Sequence, residues 1–174
     1  AFTKEGNLFE EQGVRYLYPM LNLEDRPLFA RQMFEAWAGL LGLGWEEHQR
    51  AVDAGFHGLA EYERVVRKAA REALDAIERD GKLGIVLLGR AYHHDPGLNH
   101  GIPEELQKLG YPVFSQSTLP LDEDLLDRLF GDDVRSGEIR HALDISDVWK
   151  NSLAASSNLK VWAAKFTARH PNLV

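Results

Sequence analysis

Residues 84–113, GIVLLGRAYHHDPGLNHGIPEELQKLGYPV, leave few folds open to this chain. Ile85-Val86-Leu87-Leu88 is a short apolar run with glycine on both sides. That length and those flanks predict a strand buried on both faces. A polar loop follows over 90–100, carrying Arg90, Tyr92, His93, His94, Asp95, Asn99 and His100. A short helix over 103–109 and a second strand start at Val113-Phe114 complete a βαβ unit, whose crossover should be right-handed. Ligands of open α/β sheets bind beyond the carboxyl ends of the strands, so this loop is the first place to look for chemistry.

The chain before this unit reads as helix. Arg15 to Leu21 has strand-like residues, but Pro19 would confine such a strand to an edge. Pro27 suits the first turn of a helix whose apolar face is Phe29, Met33, Trp37 and Leu40, stopped by Gly42 and Gly44. A long helical tract over 46–79 has a possible break at Gly55 to Gly58. Its stripe of Leu59, Tyr62, Val65, Val66, Ala69, Ala73, Leu74 and Ile77 reads as scaffold. After the central unit come a polar Ser115-Gln116-Ser117-Thr118 loop and a short acidic helix over 119–130, broken at Gly131-Asp132-Asp133. A second short helix over 138–147 and a last helix on Leu159, Trp162, Ala163 and Phe166, with Asn158 as N-cap, follow. Trp149 and Trp162 read as structural anchors. Asn172-Leu173-Val174 resembles the opening of another buried strand, so the chain reads as a fragment of a larger protein. These elements predict a three-layer, Rossmann-like α/β fold with a mostly parallel sheet of about four strands. Residues 1–80 would be a mainly helical segment packing on an α/β domain over 81–174.

Composition narrows the function. Hydrophobic residues make up 44% and charged residues 27%, as in an ordinary globular protein. No window reaches 18 consecutive apolar residues, so no membrane span is expected. The opening residues do not resemble a signal peptide. The absence of cysteine excludes disulfides, thiolate metal sites and a cysteine nucleophile within these residues, and fits a cytoplasmic protein. The net charge of −7 is unevenly spread: residues 120–147 carry three basic and nine acidic side chains, residues 148–174 four basic and none acidic. A polyanion needs a basic footprint, so nucleic-acid binding is not expected.

The polar loop supports more than one chemistry. His93, His94, Asp95 and His100 invite a metal reading, but adjacent residues of an extended loop point in opposite directions and no HExxH spacing occurs, so no metal site is assigned. An anion or acyl ligand is the alternative. Arg90 and the N–H groups at the start of the Pro103 helix would hold an anionic group, with Tyr92, Asn99 and Lys150 as further substrate-binding residues. His93, His100 and Asp95 would form the catalytic set, a histidine supplying a proton. In the bland reading Asp95-Pro96-Gly97 is a turn, Asn99 caps the helix and the histidines are surface residues. No GxGxxG, GxxxxGK[ST] or GxSxG motif occurs, and Ser115, Ser117 and Ser152 read as loop or cap residues.

Residues 84–113, followed by DVWKNS and KVWAAKFTARHPN, resemble the acyl-CoA dehydratase activase-related proteins, also described as activators of 2-hydroxyglutaryl-CoA dehydratase. The resemblance covers residues 80–174 well and the first 80 loosely. It implies a large multidomain bacterial protein joining activase-type ATPase domains to a region similar to 2-hydroxyacyl-CoA dehydratase subunits. Those relatives carry cysteine-ligated [4Fe–4S] clusters and use ATP to drive one-electron reduction. The chain departs from the pattern at Ala91, where the family commonly has proline, and in having no cysteine. The cluster and ATP are therefore expected only in other parts of the intact protein, with no cofactor bound by this piece. Three readings follow. The first is a dehydratase-like domain whose loop lines a substrate or cluster pocket, facing neighbouring domains, a dehydratase component or an acyl-CoA ligand, inactive as an isolated piece. The second is a non-catalytic docking module using the acidic 120–147 segment and the basic tail, and the weakest is a metal-dependent hydrolase using His93, Asp95 and His100.

Overall fold

The computed structural model describes residues 2–3, 6–151 and 154–174, without the side chains of Phe2, Thr3, Gly6, Ala91 and His94. The elements are β1 (Phe2–Thr3), β2 (Gly6–Asn7), α1 (Leu8–Glu11), α2 (Arg26–Leu41), α3 (Trp45–Asp80), β3 (Ile85–Leu87), a 3₁₀ turn (Ala91–His94), α4 (Ile102–Lys108), β4 (Val113–Ser115), α5 (Glu123–Ser136) and α6 (Ala155–Arg169). The described residues are mostly helical, at 57%. β1 and β2 pair antiparallel, and β3 pairs parallel with β4 in the register Ile85↔Val113, Val86↔Phe114, Leu87↔Ser115. The expected three-layer Rossmann-like domain with about four strands is overturned, because the parallel sheet has two strands. A sheet covered on both faces needs several near-continuous apolar runs, and only the segments at 85 and 113 read so. Residues 14–22 form no strand among the described residues, and Tyr18 and Met20 are exposed. Residues 172–174 do reach the sheet, through a parallel bridge of Leu173 to Gly84.

Two compact units divide the chain, Ala1–Ala60 and Glu61–Val174. In the first, Asp25 caps α2 by accepting from the Leu28 N–H at 3.0 Å, with Pro27 in the first turn as its fixed φ favours. The start of α3 meets α2 through His48, which is buried and donates from Nε2 to the Ala30 carbonyl at 2.7 Å. Phe29 packs edge-on to Phe56, and Phe34 to Trp45. Helix α3 runs unbroken through Gly55 and Gly58, where the sequence allowed a break. Isolated glycines weaken a helix by about 1 kcal/mol each but do not end one that its other residues support.

In the second unit Leu74, Ile77, Val86, Phe114, Phe130 and Phe166 form the centre of one core drawn from α3, β3, β4, α5 and α6. Only the later part of the apolar stripe on α3 is used: Leu74 and Ile77 are buried, whereas Leu59, Tyr62 and Val65 are exposed. Gly84 admits β3 to this core. A Cβ there would lie 2.6 Å from the Phe114 ring and 2.9 Å from Ile77 Cδ1. Helix α5 continues through Gly131-Asp132-Asp133, where a break was expected, and residues 138–147 form turns instead of a second helix. Asp144 organises those turns by accepting from the Arg140 and Ser146 backbone N–H groups at 3.1 and 3.0 Å. The N-cap of α6 is Ala154, and Asn158 lies inside the helix. Trp162 is buried and donates to the Ala142 carbonyl at 3.0 Å, whereas Trp149 is half exposed.

Candidate functional site

The carboxyl ends of β3 and β4 lie side by side because Leu87 is in register with Ser115. Gln116, buried just after β4, accepts from the Gly89 N–H at 3.2 Å and ties the two strand ends together. The chain then turns through the 3₁₀ segment, where the Arg90 backbone N–H donates to His93 Nδ1 at 3.0 Å. That leaves Nε2 as the His93 nitrogen for any other partner. Gly89 makes this possible, since a Cβ there would sit 2.8 Å from His93 Nδ1. The Tyr92 and His93 rings meet edge-on at 4.4 Å.

Asp95 and Asn99 shape the rest of the loop. Asp95 Oδ1 accepts from the Gly97 N–H at 2.8 Å, and Asn99, buried, accepts on Oδ1 from the Gly101 N–H at 2.8 Å. His100 has φ 55°, the left-handed region, and Gly101 follows at 71°. A non-glycine residue there costs about 1–2 kcal/mol. Gly101, not Asn99, is the N-cap of α4.

A cavity of about 310 Å³ opens at this strand edge, lined by Leu87, Leu88, Gly89, His93, Leu98, Asn99, His100, Ile102 and Pro103. Of the residues singled out from sequence, it brings together His93, Asn99 and His100. Arg90, Tyr92 and Asp95 belong to the same loop but lie outside the lining, and Lys150 is exposed and does not contribute to it. The side chain of His94 and all of Ser152 lie outside the described residues. Gln116 and the aliphatic wall went unpredicted. Gln116 stood in a recognised polar loop, and the one signal available was its place at a strand end. The expected cradle of N–H groups at the start of α4 is poor: Pro103 has no N–H, the Ile102 N–H donates to Asn99 O, and Glu104 and Glu105 are acidic. Among the described residues no group of three or more His, Cys, Asp or Glu could hold a metal ion, so His93, Asp95 and His100 do not gather as a ligand set.

A second cavity, of about 600 Å³, lies within the first unit between α2 and the start of α3. Phe29, Met33, Trp37, Val52, Phe56 and Leu59 give it an apolar wall.

The uneven charges of the chain close on one another. Asp124 pairs with Arg71, Asp127 and Asp132 with Arg135, and Asp144 with Arg140. Asp133 pairs with Arg169, and Asp147 with the buried Lys165 at 2.8 Å. The Arg71 guanidinium holds Asp124 down to about 2. The Arg140 side chain and two backbone N–H groups hold the Asp144 carboxyl well below the usual range. Arg128 lowers Glu78, and burial lowers His170. Groups depressed in the folded state contribute stability above their unfolded values and lose it as pH falls through the folded ones. Stability should therefore decline first below about pH 6.5 through His170, then more steeply below about pH 4 through the carboxylates. Guanidinium unfolding at a series of pH values reads this, and Asp144→Asn should flatten the lower limb. The exposed Asp124 pair is screened and contributes less. An unchanged lower limb in Asp144→Asn would contradict the assignment.

The second unit thus presents a parallel strand pair with a cavity at its carboxyl edge. The family model described as "CoA enzyme activase uncharacterised domain" matches residues 3–119, and the chain belongs to that family. The match includes residues 3–80, which the sequence resemblance covered only loosely, and ends before α5. No curated protein and no solved structure matches the chain. No described helix is long and apolar enough to cross a membrane.

Proposed function

We propose that this chain supplies a ligand-pocket loop to a larger ATP-dependent 2-hydroxyacyl-CoA dehydratase activator, working there as a dehydratase-like domain. The observation that carries the reading is the cavity at the β3 edge, where His93, Asn99 and His100 meet an aliphatic wall. At about 310 Å³ it stands at the small end of ligand sites, which run about 300–1,000 Å³. It suits the acyl end of a thioester, with the nucleotide part outside. Leu87, Leu88, Leu98 and Ile102 would take the acyl chain, and His93 Nε2 or His100 would donate to its carbonyl or move a proton. Arg90, exposed at the loop's start, would hold an anionic group of the ligand. An iron–sulfur cluster does not fit the donor set of this chain, which offers no thiolate. The cluster and ATP would belong to neighbouring domains or a dehydratase component.

The docking alternative relied on free charge in residues 120–147 and the tail. Internal pairing of Asp124, Asp127, Asp132, Asp133, Asp144 and Asp147 takes away most of that charge. The test is turnover of the intact protein carrying His100→Ala or Arg90→Ala. A loss of about 10²-fold in kcat/KM is expected for His100→Ala, and a rise in KM for Arg90→Ala. Unchanged turnover in both variants would hand the function to interdomain docking.

A further inference from the structure

Residues 172–174 lie along β3 on the edge away from β4. Gly84 N–H donates to Asn172 O and Val86 N–H to Val174 O, both at 2.8 Å, while Ile85 N–H donates to Pro112 O on the other side. One side chain holds this edge segment at its base. His170 follows α6, its imidazole fully buried, with Nε2 at 2.6 Å from Glu78 Oε1. Its Nδ1 accepts from the Asn172 N–H at 3.2 Å, and its carbonyl accepts from the Leu173 N–H. Asn172 Nδ2 donates in turn to Lys82 O at 2.8 Å. Both ring nitrogens are thus engaged by the uncharged tautomer with hydrogen on Nε2.

We propose that His170 is a proton-operated latch: uncharged, it ties residues 172–174 to β3, and protonated, it lets them go. Protonation would place hydrogen on Nδ1, setting two donors 3.2 Å apart where a bond now stands. It would also add positive charge beside Arg128 of α5, whose Nη2 lies 3.5 Å from Nε2. Glu78 of α3 opposes this by favouring the charged ring. From α6 the ring faces Phe166, stacked at 6.1 Å, and β3 and residues 171–174 carry no titratable side chain. Burial outweighs Glu78 and keeps the ring uncharged near neutrality. Release would strip one edge from the strand whose end carries the His93 and His100 loop, linking proton concentration to the order of that loop.

Amide hydrogen exchange on the full chain tests the latch. Between about pH 7 and about pH 5.5, protection of Gly84, Val86 and Val174, corrected for intrinsic exchange, should fall about tenfold. Protection of Ile85, bonded toward β4, should hold. His170→Gln, which can donate and accept without titrating, should lose the pH response. Glu78→Gln should move the transition to lower pH, and it serves as the readout if His170→Gln does not fold. The latch is overturned by equal loss at both edges of β3, by no loss, by a wild-type response in His170→Gln, or by an unmoved transition in Glu78→Gln.

Discussion

Phe166→Ala is expected to reduce the unfolding free energy of the chain by about 3–5 kcal/mol. Phe166 is 0% exposed, with its ring 5.4 Å from Trp162 and 6.3 Å from Phe130. Its removal leaves a hole bounded by helices α5 and α6, which cannot collapse without breaking other contacts. Domains of this size have a total stability of about 5–15 kcal/mol, so this one change takes a large share. Guanidinium unfolding should show a lower midpoint at constant slope. Met20→Ala, at a site 88% exposed, should stay within about 0.5 kcal/mol and serves as the control. A loss below about 1 kcal/mol in Phe166→Ala would mean that the core is not packed as described.

Gly84→Ala comes second in size. Replacing glycine with alanine outside a left-handed conformation usually stabilises by about 0.4–1 kcal/mol through the unfolded chain. Here the added methyl meets Phe114 at 2.6 Å, Ile77 at 2.9 Å and Leu173 at 3.1 Å. Overpacking of that kind costs about 1–3 kcal/mol and wins, so a net loss is expected. The injury should be local, loosening the bridge to residues 172–174 before the β3–β4 ladder. Thermal unfolding checks the sign, and a raised midpoint would refute the close packing.

The same glycine shows how far sequence reasoning reached. Two glycines around an apolar run identified β3, and the spacing to Val113 identified its parallel partner, because a βαβ unit writes itself in short-range patterns. The burial expected on both faces of β3 is not seen, since Val86 is buried but Ile85 and Leu87 only partly so. What failed were inferences about the sheet beyond that unit. The residues at 15–21 had strand-like composition, but nothing in a local window reveals whether a partner strand exists. Helix α5 ran through Gly131 because Leu125, Leu129 and Phe130 pack into the core just before it and Arg135 beyond it pairs back to Asp127 and Asp132, which together outweigh one weak helix former. Within the site, His93, Asn99 and His100 were legible because polar residues crowd a strand end. Gln116 was not, since its role depends on two loops that are 27 residues apart meeting. Arg90 and Asp95 belong to the same loop but lie outside the cavity lining, which adjacency in sequence does not reveal. The cavity between α2 and α3 left only the apolar spacing of Phe29, Met33 and Trp37 as a trace, and that pattern reads equally as core.

The pairing of acidic and basic segments changes what a neighbouring molecule meets. Residues 120–174 carry seven basic and nine acidic side chains, most of them joined within the fold. Such a face projects dipoles that fade within a few ångströms of the surface, not a long-reaching field. A partner arriving there would gain little guidance in its diffusion, so it would be selected by fit after collision and would bind at rates that ionic strength barely alters.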